Sequence, residues 1–105
     1  MAQTFTNAVA STITTVTTVY TVPSSTTAVV VGLIINNTSG TDTTLTVSAV
    51  VGGTTVYLAT NEPLPANSNI SVLSNNNRLA LTTGNTLRVA AANSVDAFAS
   101  IMQIT

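Results

Sequence analysis

The chain has 105 residues, and only five are charged: Asp42, Glu62, Arg78, Arg88 and Asp96, where a typical quarter of such a chain would be about 26. Two arginines, no lysine and a net charge of −1 cannot supply the phosphate contacts that carry nucleic-acid affinity. The absence of cysteine and histidine removes disulfides, zinc fingers, thiol nucleophiles and imidazole bases.

This length suits one domain with a modest core. Threonine (22 residues), asparagine (11) and serine (10) give it a surface of neutral hydroxyls and amides. Val, Thr and Ile dominate, and turn residues recur every eight to twelve positions, the pattern of an all-β protein. Residues 1–11 are polar with few apolar positions, so they are expected to form an extended arm outside a sandwich of residues 12–105. Fully extended, such an arm reaches about 36 Å. Phe5, Val9 and Ala10 are its candidate anchors.

The passage Ile13 to Val22 places apolar residues at 13, 16, 19 and 22. β-Branched residues fill it, so it is expected to be a strand with a bend or bulge, ended by Pro23. Thr26 to Asn37 contains the run Ala28 to Ile35, apolar on both pleat faces and expected to be covered on both. The run is far short of a bilayer span. Thr38 to Asp42 is a turn, and Gly52-Gly53 is a two-residue hairpin loop. Pairing Val51 with Thr54 sets Ala49 opposite Val56, Val47 opposite Leu58 and Leu45 opposite Thr60 on a buried face, with Thr46, Ser48 and Tyr57 on a solvated one.

Asn61 to Asn69 is a proline-bounded loop, and Ile70 to Leu73 a short strand. Asn75-Asn76-Asn77 is a turn. Leu79 to Leu81 and Thr86 to Ala91 are expected to form a hairpin around Thr82-Thr83-Gly84-Asn85. Val95 to Ile104 closes the chain, with Val95, Ala97, Ala99 and Ile101 on one side and Phe98, Met102 and Ile104 on the other, as in a central or interface-covered strand. About eight strands predict an antiparallel, jelly-roll-like β-sandwich.

Little in this chain is reactive. Asp42, Glu62 and Asp96 are separate loop or strand-end acids, more suited to solvating a surface than to paired-carboxylate hydrolysis. Asp42 among Asn37, Ser39 and Thr41 reads as turn chemistry rather than a calcium loop. The threonines at 12–18 form no ladder repeated over several strands, which an ice-binding face needs. No enzyme activity, cofactor or metal is expected. Arg88 and Asp96 flank Ala92-Asn93-Ser94 and are placed as an exposed cross-strand pair; alternatively Arg78 and Arg88 are interface anchors. The start Met1 to Asn7 has no basic or apolar signal segment, so synthesis in a cytoplasm without export is expected and the sequons at Asn36, Asn37 and Asn69 stay idle.

Several segments resemble small structural proteins of tailed-bacteriophage virions: Tyr20-Thr21-Val22-Pro23, Thr27 to Leu33, Leu79 to Leu87 and Ala99 to Ile104. The likeness spans residues 18–105. It implies a β-sandwich that assembles on a virion as a capsid cement or decoration protein, often trimeric, with the major capsid protein as partner. A neck or tail accessory is the alternative it leaves open. It carries no functional residues over. A carbohydrate-binding or adhesin module is more remote, since tryptophan is absent and the aromatics are Phe5, Tyr20, Tyr57 and Phe98.

Overall fold

The computed structural model describes residues 3–73 and 78–105; the turn expected at 75–77 lies outside these. Among these residues nine strands form two antiparallel sheets: β1 (Gln3–Ile13), β2 (Thr17–Thr21), β3 (Thr27–Asn37), β4 (Thr43–Val51), β5 (Thr54–Leu64), β6 (Asn69–Ser71), β7 (Leu79–Leu81), β8 (Thr86–Ala91) and β9 (Val95–Ile104). One sheet has the order β1-β9-β3-β6, with β7 also on β3; the other is β2-β8-β4-β5.

The pairings share one logic. Val51 meets Thr54, Thr43 meets Leu64, Val30 meets Leu79, Thr17 meets Val89 and Gln3 meets Ile104. In each pair the two residues lie nearly equidistant from Gly52-Gly53. The chain is thus one long hairpin bent at this turn and rolled up, so that β9 also meets β3 and β8 also meets β4. With β6 and β7 counted as one interrupted strand, this is the eight-strand, jelly-roll-like order. Gly52 and Gly53 both have positive φ, 57° and 82°, as a primed two-residue turn requires.

The core lies between the sheets. Alternation along β3 and β9 sends Val30, Leu33, Ile35, Val95, Ala97, Ala99 and Ile101 inward, where they meet Leu45, Val47, Ala49, Leu87 and Val89. Of the positions 13, 16, 19 and 22, Ile13, Val19 and Val22 are buried and Val16 is exposed. The period near three arises where the chain crosses from one sheet to the other between β1 and β2.

Several expectations are corrected. Residues 3–13 do not leave the sandwich: they pair with β9 from Gln3 to Ala10 as an edge strand. Thr4, Thr6, Ala8 and Ala10 face inward here, opposite Gln103, Ile101, Ala99 and Ala97. This strand is held mainly by its backbone ladder, which leaves no apolar pattern in the sequence. Deleting residues 1–11 is therefore expected to lower the melting temperature by uncovering the edge of β9, a shift that thermal unfolding followed by circular dichroism would register.

The hairpin register holds from Val51/Thr54 to Ser48/Tyr57, then slips at two bulges, so that Val47 meets Ala59 and Leu45 meets Glu62. An edge strand such as β5 accommodates the extra residues and Pro63 because its outer backbone needs no partner. Val56 is exposed, although it pairs with buried Ala49. Ser48 is buried, not solvated. β3 is covered on one face only.

The segments 82–85 and 92–94 are crossings between sheets rather than hairpin loops, because β7 and β9 lie in one sheet and β8 in the other. The first crossing is stapled to the β2–β3 turn: Thr83 Oγ1 accepts from Thr26 N–H and donates to the Thr26 carbonyl (3.1 and 2.9 Å).

Candidate assembly face

The side of β9 facing away from the core carries Asp96, Phe98, Ser100 and Met102, and the neighbouring strands extend these positions into rows. One row runs Val9, Phe98, Ile34; the next runs Asn7, Ser100, Gly32; a third runs Phe5, Met102, Val29. Phe5 is 79% exposed, Val9 64%, Ile34 50% and Phe98 44%. Monomeric surfaces rarely hold such apolar residues as a contiguous group unless something docks there. A β-bulge between Val30 and Gly32 displaces Val31 without breaking these rows.

A shallow groove of about 450 Å³ crosses this face, lined by Val9, Ile34, Asn36, Asp96 and Phe98 among others. The Asp96 carboxylate at its rim accepts the Thr12 N–H at 3.0 Å. Thr12 has φ 53°, a left-handed conformation costly for a β-branched residue, and this hydrogen bond holds it. The bulge between Ala10 and Ile13 ends the straight part of β1.

Of the candidate anchors, Phe5 and Val9 lie on this face. Ala10 points inward and packs half-buried against the core. Arg78 is exposed just before β7. Arg88 is on the outer side of the other sheet, between Thr18 and Ser48, with a buried Nε that has no hydrogen-bond partner among the described residues. The two arginines are thus not brought together with Phe5 and Val9, and Arg88 and Asp96 are not cross-strand neighbours because their strands belong to different sheets. Ile34, Phe98, Met102 and Val29 belong to the face although they were not singled out as anchors. Their signal was present in the two-sided apolar character of β3 and β9.

The acids stand on separate segments, and Asp42 and Asp96 each accept a backbone N–H. The Asp42 carboxylate accepts the Ala66 N–H at 3.0 Å, and Glu62 lies in β5. Among the described residues no three His, Cys, Asp or Glu side chains gather into a metal-binding group. The face is mainly apolar and neutral, with Asp96 at its rim.

No protein-family model matches the sequence, and a search of curated proteins finds no match. The fold does have solved counterparts. It resembles a subunit of Bacillus endospore appendages, described as disulfide-linked pili, with a TM-score of 0.55 and 16% identity over 99% of this chain and 87% of that one. It also resembles a chain of the T13 particle of infectious bursal disease virus (TM-score 0.60, 14% identity, 96% of this chain and 30% of that one). A chain from the Gx strain of the same virus gives TM-score 0.54 and 12% identity over 98% of this chain and 33% of that one. The chain therefore spans about a third of the viral chains, and it is similar in fold to proteins of viral particles and appendages.

Proposed function

We propose that this protein is a structural subunit of a virion, a capsid cement or decoration protein that binds the head lattice through the outer face of the β1-β9-β3-β6 sheet. The observation that carries this reading is the uncovered apolar cluster of Phe5, Val9, Ile34 and Phe98 on a chain with five charges. Such a surface gains by burial and desolvates almost no ions. The likeness in fold to a viral-particle chain supports it. The disulfide linkage described for the spore appendages is unavailable to a chain without cysteine.

The test combines Ile34→Asp and Phe98→Asp in one variant. Both side chains point away from the core, so the melting temperature should stay close to wild type while incorporation into particles falls by about tenfold or more. Unchanged incorporation would reject this face as the docking surface. Copy number in purified particles separates the two locations: hundreds per particle mark a head cement, and a dozen or fewer mark a neck or tail component. Retention on the particle is expected to be the same in low salt and in about 1 M salt, where the Debye length is only about 3 Å. Release by salt without unfolding would reveal ionic contacts instead.

A further inference from the structure

We infer that two copies of this chain pair through the free edges of their β1 strands, antiparallel about Asn7, and so join their outer faces into one continuous sheet. The pairing concerns self-association and goes beyond attachment to a particle.

Exposed sheet edges are templates for pairing, and proteins blunt them by shortness, charge, proline or bulges. Among the described residues, three of the four edges are blunted. β2 has five residues and runs into Pro23. The β6/β7 edge is split into two three-residue strands. β5 carries Glu62, Pro63 and two bulges. β1 has none of these devices between Gln3 and Ala10: it is uncharged, free of proline and in unbroken register with β9. The strain and bulge at Thr12 lie beyond this straight stretch.

The sequence of β1 selects a second copy as the occupant. Antiparallel pairing about Asn7 sets Phe5 opposite the second copy's Val9, and Val9 opposite its Phe5, all on the outer face. On the inner side Thr6 meets the other copy's Ala8, and Thr4 its Ala10. Apolar faces apolar and small faces small, as a two-fold interface demands. Centring the pairing on Ala8 would instead place Phe5 opposite Ser11 and Val9 opposite Asn7, exposing both anchors. The Asn7 register also completes the apolar face. The row Ile34, Phe98, Val9 continues into the second copy's Phe5, Met102 and Val29, so one copy holds only half of the surface.

Size-exclusion chromatography with light scattering on the full chain tests this pairing. Wild type is expected at twice the 10.7 kDa chain mass. Asn7→Lys puts like charges on the two-fold axis and should raise the dissociation constant by about tenfold or more, whereas Asn7→Ser should leave the dimer intact. Since the chain has no cysteine, oxidised Asn7→Cys should migrate as a linked dimer on a non-reducing gel. A single-chain or trimer mass for wild type overturns the pairing, as does a dimer indifferent to Asn7→Lys or one that does not link at Asn7→Cys. Particle incorporation is measured separately. A monomer that incorporates defeats the pairing alone, and a dimer absent from particles defeats the virion reading alone.

Discussion

Replacing Asn37 with leucine is expected to lower the melting temperature by about 15 °C or more. Asn37 is 1% exposed at the end of β3. Its amide nitrogen donates to the carbonyls of Thr41, Leu64 and Pro65 at 2.8, 3.1 and 3.2 Å. Its oxygen accepts the N–H and hydroxyl of Ser39. One side chain thus ties the β3–β4 turn to the end of β5. Leucine breaks all of these bonds; the Thr41 and Pro65 carbonyls keep donors in Ser39 and Ser68, but the Leu64 carbonyl and the Ser39 N–H lose their Asn37 partner, and at about 1–3 kcal/mol for each such group the total reaches about 3 kcal/mol. In a domain of this size each kcal/mol shifts the midpoint by about 4–8 °C. Asn36→Leu, one residue away on the exposed face, is the control and should change stability by less than about 0.5 kcal/mol. If scanning calorimetry finds the two variants equally stable, the tie is not made as described.

Val47→Asp should abolish cooperative unfolding, while Ser48→Asp should retain it. Val47 is fully buried between Val89 of β8 and Ala59 of β5. A carboxylate there has no partner, which costs about 4 kcal/mol or more, against a total stability of about 5–15 kcal/mol. Ser48 points to the opposite side and is also buried, but it lies directly opposite Arg88, whose Nε lacks a partner among the described residues. An aspartate at this position gains an ion pair within cross-strand reach. The pairing is separable from simple tolerance: adding Arg88→Leu to Ser48→Asp should cost about 1–3 kcal/mol more than the two single changes together. Additive behaviour would show that Arg88 does not meet the new carboxylate.

The legible parts of the fold were those governed by local chemistry. Gly52-Gly53 announced its turn, and the alternation of Leu45, Val47 and Ala49 fixed the buried side of β4. The turns at 82–85 and 92–94 were visible as reversals. Turn residues dictate that a chain doubles back, but not whether the returning strand stays in its sheet, which depends on closing the core from both sides. The two bulges in β5 were hidden for a related reason: an edge strand absorbs an extra residue without any change in hydrophobic pattern. β1 was illegible as part of the sandwich because it contributes backbone hydrogen bonds and little apolar area. The assembly face was half readable. Phe98 and Met102 stood out by alternation along β9, and Phe5 and Val9 by their polar setting. Only the cross-strand register brings Val9, Phe98 and Ile34 into one row.

The long hairpin centred on Gly52-Gly53 also sets a timetable. During synthesis β4 and β5 emerge in succession and have only a two-residue loop to close, whereas β1 leaves the ribosome first of the nine strands and its partner β9 last. For the whole intervening period β1 has no edge to rest on within its own chain. Pairing across so many residues carries a large loop-closure cost and places folding among the slow, non-local topologies, on the order of milliseconds to seconds. Substitutions near the turn should therefore change the folding rate, and substitutions in β1 chiefly the unfolding rate.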